Sequence, residues 1–181
     1  MDKYPQLKAD IIEYIYNYKL IDIDDAIEQT NIQRAKVATE EESNEYNKTK
    51  DEIGYNSKGS YVKKKSSISK KVLFDSNYQC ACNPKHKTFD TPSGNPYMEG
   101  HHLIPCTPDK SKKYESKSKL DREENIVCIC PNCHKAVHLG DLKVKIDILK
   151  KLYNFQKEKL DSANLDIGIE ELLKEYKVVQ K

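Results

Sequence analysis

An α+β fold, with helices flanking a small core rich in cysteine and histidine, is predicted by three features of the chain. Apolar residues recur at three- and four-residue spacings near both ends. All six cysteines and all five histidines lie between residues 80 and 138. The stretch C-P-N-C-H-K-A-V-H, residues 130–138, places two cysteines and two histidines within one turn-and-helix segment. At 181 residues the chain suits one compact domain with helical additions, and two large cores are not expected. The expected divisions are an acidic, partly helical region with linker over 1–60, the cysteine- and histidine-rich core over 61–140, and a helical extension over 141–181.

Each element follows from local chemistry. Leu7, Ile11, Ile12, Ile15 and Tyr18 predict an amphipathic helix over 6–20, and Asp24 or Asp25 caps a second short helix through Ile27. No recognition-helix signature accompanies the pair, so it reads as a packing or partner-binding element. From Glu40 to about Lys65 the polar composition, with Gly54 and Gly59, predicts a linker or irregular surface segment. Residues 66–77 form a basic helix with Ile68, Val72 and Leu73 on one side. Asp141 caps a helix carrying Ile146, Leu149, Leu152, Tyr153 and Leu160, and Gly168 precedes a last helix around Leu172, Leu173 and Tyr176.

Charge is segmented. Residues 1–60 carry 8 basic and 13 acidic side chains, residues 61–140 carry 14 and 8, and residues 141–181 carry 9 and 8. The formal net charge of +2 therefore hides a basic middle, which suits a polyanionic partner. The N-terminus has acidic residues and tyrosines where a signal peptide has a basic start and an apolar run, and no stretch reaches the ~18 apolar residues of a membrane span. A cytoplasmic protein is expected, whose cysteines are thiols or metal ligands in preference to disulfides.

Cys130 and Cys133 have the two-residue spacing with which a tight turn presents two thiolates to a tetrahedral Zn²⁺. The upstream ligands come from C-A-C-N-P-K-H. Cys80 belongs to every sensible set, and the fourth position falls to His86 or to Cys82. Cys82 is only two positions on, which strains a knuckle turn, whereas His86 leaves a five-residue loop, so the reading prefers His86. Cys106 and Cys128 fit no spacing and read as small buried hydrophobes.

If a helix starts near Cys133, His134 is rotated about 100° from it, while His134 and His138 share a face. The cysteines and histidines then serve two metal sites; the bland alternative makes His134 the fourth zinc ligand and His138 a surface residue. Further ligands for a second metal come from Y-M-E-G-H-H-L-I-P, residues 97–105. On an extended segment His101 and His102 point to opposite sides, so one can face a metal and the other a substrate phosphate.

The order His102, Asn125, His134 inside a frame of cysteines resembles the HNH nucleases. Y-M-E-G-H-H-L-I-P resembles the first strand of their zinc-stabilised, restriction-type bacterial members, and N-I-V-C-I-C-P-N-C-H-K-A-V-H resembles their second strand and helix. K-H-K-T-F is similar to bacterial members too, and further favours His86. The resemblance covers residues 80–140 well, the C-terminal helices weakly and residues 1–60 hardly at all. It implies a ββα-metal core with a structural zinc site. His102 takes the place of the general base and Asn125 of the middle residue that holds the loop and orients the base. His101 and His134 take the places of metal ligands, and His138 that of the additional helix histidine. Glu99 stands as an acceptor for a ligand histidine or as a structural carboxylate. C-A-C departs from the commoner two-residue cysteine spacing, which touches the zinc set and not the catalytic one.

The resemblance further implies a metal-dependent endonuclease acting on DNA by a single-metal mechanism, in bacterial restriction or phage defence. The cofactors it implies are a structural Zn²⁺ and one catalytic Mg²⁺, Mn²⁺, Ni²⁺ or Zn²⁺. Lys110, Lys112, Lys113 and Lys117, between His102 and Asn125, are a solvated loop or phosphate contacts. Two rival expectations are a partner-dependent subunit docking another protein through its N-terminal helices, and a non-catalytic zinc module that binds nucleic acid. A homodimer is a further expectation, since a double-strand break needs two active sites or two visits.

Overall fold

The computed structural model describes residues 23–56 and 59–178. The chain runs through α1 (Ile23–Arg34), α2 (Glu40–Asn47), β1 (Glu52–Asn56), β2 (Gly59–Lys63), α3 (Ser66–Asp75), β3 (Glu99–His102), α4 (Pro108–Tyr114), a 3₁₀ turn (Glu123–Asn125), β4 (Ile126–Ile129), α5 (Pro131–Leu139), α6 (Leu142–Ser162) and α7 (Ile169–Glu175). No helix among the described residues is long and apolar enough to cross a membrane.

The centre is the antiparallel pair β3–β4, whose register sets Gly100 against Cys128 and His102 against Ile126. Every residue of both strands is buried, because helices cover both faces. On one face lie α1 and α3. A Cβ on Gly100 would stand 3.3 Å from Ser69 Cβ and 3.4 Å from Ile32 Cδ1, so both helices approach the strand where it lacks a side chain. On the other face β3 meets α5, completing a ββα unit. Then α6 packs on α5 and on the 3₁₀ turn, burying Leu149, Leu152 and Leu160, and α7 packs on α6 through Leu172 and Leu173.

Local chemistry explains the helix limits. Asp141 caps α6 by accepting the Val144 amide at 2.9 Å, as its position predicts. Ile68 and Leu73 bury the inner face of α3, which stops where Asn77 and Tyr78 take positive φ. The predicted helix over 6–20 lies outside the described residues.

Three sequence expectations are corrected. The second N-terminal helix does not end at Ile27 but continues to Arg34, with Asp25 inside it and Ile27 exposed. Gln29 Nε2 donates to the Gly100 carbonyl at 3.0 Å and Gln29 Oε1 accepts the Gly100 amide at 3.1 Å, so one side chain pairs with the open edge of β3 as a strand would. The linker expected over 40–65 is instead α2 and a β-hairpin. Thr39 and Glu42 form a reciprocal capping box that starts α2, and buried Val62 and Gly54 hold the hairpin. The lysine-rich connection between β3 and β4, read as a loop, contains α4, begun by Pro108.

Gly100→Val is expected to destabilise the fold by about 1–3 kcal/mol through overpacking against α1 and α3. Urea denaturation measures this, and an unchanged midpoint would contradict the packing of both helices on β3.

Candidate metal centre and histidine site

Cys130 is the N-cap of α5, its Sγ accepting the Cys133 amide at 3.5 Å. This turn brings Cys133 round beside Cys130. From the loop before β3 comes His86, whose Nδ1 lies 3.5 Å from Cys130 Sγ and 3.4 Å from Cys133 Sγ. The ligand atoms of Cys80, His86, Cys130 and Cys133 all lie within 4.8 Å of one another. Three thiols and an imidazole at that separation can hold a tetrahedral zinc ion. The Ala81 amide donates to the Cys128 carbonyl at 2.8 Å, which ties the upstream half of the cluster to β4. Cys82 is half-buried beside the group without joining it. Cys128 is buried in the core between the strands and helices, while Cys106 is only partly buried.

One turn along α5 the second cluster begins. The ligand atoms of His101, His134 and His138 lie within 4.8 Å of one another, one imidazole from β3 and two from α5. Their ring centroids are 4.9 to 5.3 Å apart, all edge to face. His134 Nδ1 lies 2.7 Å from Glu99 Oε2, on the same side of β3 as His101. A carboxylate accepts only, so Nδ1 carries the proton and Nε2 faces the cluster. Tyr97 donates to Glu99 Oε1 at 3.1 Å, fixing the carboxylate in turn. Burial first, then the neighbouring His134 and His138, hold His101 well below the ordinary histidine range, so it is a neutral imidazole. The Tyr176 hydroxyl, after α7, stands 2.9 Å from His101 Nε2 and donates to the Leu103 carbonyl at 2.8 Å.

His102 points to the other face of β3. Its Nε2 is 2.8 Å from Asp121 Oδ1, a carboxylate fully buried in the β3–β4 connection. Burial alone would raise the Asp121 pKa, but hydrogen bonds from His102, Tyr46 and the Lys65 amide outweigh it and hold the group below the ordinary carboxylate range. The hydrogen bonds of the Asn125 side chain go to the backbone around His102. Its Oδ1 accepts the Ile104 amide at 2.8 Å, and its Nδ2 donates to the carbonyls of Ile104 and Leu120, both at 2.9 Å. The segment it holds is the β3–β4 connection.

The four lysines of that connection divide. Lys110 pairs with Glu175 at 2.6 Å, Lys113 with Glu171, and Lys117 with Asp166 at 3.6 Å, so three of them tie the connection to the C-terminal segment. Lys112 is exposed and, with Lys117, lines a groove of about 570 Å³ that also meets Lys48, Lys50, Lys119 and the largely exposed Tyr55.

Sequence reasoning missed the acidic groups of α1. Asp25 Oδ1 is 3.9 Å from His134 Nε2 and Glu28 Oε1 is 3.9 Å from His102 Nδ1. Each is also paired with a lysine, Asp25 with Lys135 at 2.6 Å and Glu28 with Lys64 at 2.5 Å. Helical spacing marked the turn on which they sit, but nothing in sequence links it to histidines more than 70 positions away. Asp121 was equally hidden, one acid among Glu123 and Glu124.

Residues 80–144 match the HNH endonuclease family. Over 82 residues the chain is 33% identical to the type IV methyl-directed restriction enzyme EcoKMcrA of Escherichia coli strain K12, a match covering 45% of this chain and 26% of that enzyme. Among solved structures it is similar to the type IV phosphorothioation-dependent restriction endonuclease ScoMcrA, with 22% identity and a TM-score of 0.36 over 54% of this chain and 17% of that one.

Cys133→Ser and His86→Ala are each expected to lose the structural zinc and lower the melting temperature, because metal-binding energy is folding energy in so small a core. Cys82→Ser is expected to retain the ion. Zinc stoichiometry by mass spectrometry checks this; retention in His86→Ala with loss in Cys82→Ser would reverse the assignment of the fourth ligand.

Proposed function

Because residues 80–144 match the HNH endonuclease family, we propose that this chain is a metal-dependent endonuclease hydrolysing DNA phosphodiester bonds, with His102 as its general base. The observation that carries the reading is the convergence of His101, His134 and His138 beside a consecutive histidine turned to the opposite face of the strand. The likeness to a methyl-directed restriction enzyme supports a restriction-type role in defence against foreign DNA. Because the chain matches only 26% of that enzyme's length, its target sequence and any dependence on base modification are separate questions.

The donor set fits a divalent cation. His101 is neutral, His134 is oriented by Glu99, and imidazoles suit Mn²⁺, Ni²⁺ or Zn²⁺ better than Mg²⁺. A divalent ion held by His101, His134 and His138 would polarise the phosphate and offset charge on the leaving oxygen. His102 accepts the proton of the attacking water. Asn125 keeps the backbone after His102 in place, and Lys112 with its neighbours in the groove offers phosphate contacts.

One observation favours a gated form of this reading. His101, His102 and His134 are 5%, 7% and 2% exposed, covered by α1 and by Tyr176. The carboxylates of Asp25 and Glu28 stand where a phosphate approaching the histidines would be repelled. DNA entry therefore requires α1 to give way, driven by the substrate or by a protein partner.

Cleavage of supercoiled plasmid by wild type and His102→Ala, with Mg²⁺, Mn²⁺, Ni²⁺ or EDTA, tests the reading. Metal-dependent nicking by the wild type is expected, with His102→Ala slower by about 10² or more at equal zinc content. Undiminished cleavage by the variant would sink the base assignment, and no cleavage by either would turn the reading to the partner-gated form or the non-catalytic zinc module. In the His102→Ala background, Asp25→Asn with Glu28→Gln is expected to bind DNA roughly three- to tenfold more tightly at low salt, the gain shrinking as salt screens the charges. Fluorescence anisotropy measures it, and equal affinity would remove the α1 acids from the DNA path.

A further inference from the structure

We infer that Asp121 is the positioning residue of the base, fixing His102 with its proton on Nε2 so that Nδ1 is the nitrogen that takes the proton from water. The inference rests on the nuclease reading for the identity of the base and on geometry for the rest. Asp121 Oδ1 lies 2.8 Å from His102 Nε2. A carboxylate accepts hydrogen bonds and donates none, so Nε2 must be the N–H, and a neutral imidazole then keeps its lone pair on Nδ1. Among the described residues the nearest carboxylate to Nδ1 is Glu28 Oε1, at 3.9 Å, beyond hydrogen-bond reach.

The carboxylate cannot turn away. Its second oxygen, Oδ2, accepts from the Tyr46 hydroxyl and from the Lys65 amide, each at 2.7 Å. The backbone beneath it is fixed as well: Asp51 accepts the Asp121 amide at 3.2 Å and the Leu120 amide at 2.8 Å. Asn125 then relates the two partners. It binds Ile104, two residues after His102, and the carbonyl of Leu120, one residue before Asp121. Its orienting effect on the base thus runs through the pairing of imidazole and carboxylate, since its side-chain hydrogen bonds go to the backbone that carries both partners. Proton transfer balances simply: the water O–H bond breaks, Nδ1–H forms, and the imidazolium that results is stabilised across Nε2–H by Asp121.

The test is Asp121→Asn. The amide has the same shape and can still accept from Tyr46 and Lys65, but it turns an N–H toward Nε2 and so favours the tautomer with the proton on Nδ1. The expected result is a fall in kcat of about 10² to 10⁴, as the same exchange in a Ser-His-Asp triad would suggest, with KM, DNA affinity and zinc content unchanged. Nitrogen-15 NMR of histidines in the zinc-loaded protein reads the tautomer without any cleavage, with His102→Ala identifying the resonance. Wild type is expected to show His102 protonated on Nε2, and Asp121→Asn to show it on Nδ1. If wild type cuts no DNA while the tautomer reverses, the nuclease reading fails and the pairing stands. Wild-type kcat in Asp121→Asn, or a wild-type His102 protonated on Nδ1, overturns the inference. So does a variant that loses DNA affinity and zinc together with kcat, since that is the pattern of a purely structural carboxylate.

Discussion

The first turn of α5 has to satisfy two sets of side chains at once, and the rest of the core is arranged around that demand. Cys130 caps the helix with its sulfur and Cys133 closes the turn, so the direction of the helix axis is set by the thiol cluster. His134 follows directly and is carried by helical rotation to the opposite flank, toward β3. An error of even a few degrees in the cap would be transmitted to the imidazole. Two independent references prevent it, Ala81 bonding to β4 on one side and Glu99 bonding to His134 on the other. A cluster that can bind zinc with folding energy thus serves as the mount of a second cluster whose imidazoles converge closely enough to hold a metal ion.

β3 faces the complementary problem. It is four residues long and its register fixes which side each histidine takes. A slip of one position would exchange His101 and His102 and put the wrong imidazole in each site. Gln29 on α1 bonds both the N–H and the C=O of Gly100, which locks the register from the free edge while β4 locks it from the other. The same helix brings Asp25 and Glu28 toward the histidines, so the element that secures the strand also places negative charge over it. Lys64 and Lys135 offset those charges within the protein.

What the sequence disclosed and what it hid follow from distance along the chain. Part of the two clusters was readable from short-range spacing: two residues between Cys130 and Cys133, four positions from His134 to His138, and alternation at His101 and His102. Cys80 and His86 came from loop length and the family resemblance, and the choice of His101 over His102 as ligand came from the resemblance alone. The long helices were legible for the same reason, since Asp141 and the apolar repeat of α6 are local signals. Segment 40–65 looked like a linker because its stability is not local. It is held by Asp51 and Val62, and by hydrogen bonds from Tyr46 and the Lys65 amide to Asp121, partners that composition cannot reveal. The lysines between β3 and β4 read as available charge, and only the fold supplies Glu171 and Glu175 to occupy two of them.

Hydrogen bonds cross the compositional boundary near residue 60. Asp51 and Tyr46 lie before it, yet both hold Asp121 or its backbone, and Asp121 holds His102. Tyr176, from the far end of the chain, bonds the carbonyls of His102 and Leu103 as well as His101. A ββα unit excised at 80–140 would retain the thiol cluster and the three imidazoles, since their ligands are all internal to it. It would lose the Tyr46 and Lys65 donors that orient the Asp121 carboxylate and the hydroxyl that steadies the strand end. The local unit supplies the ligands, and the flanking segments supply the orientation on which the acid–base role proposed for His102 depends.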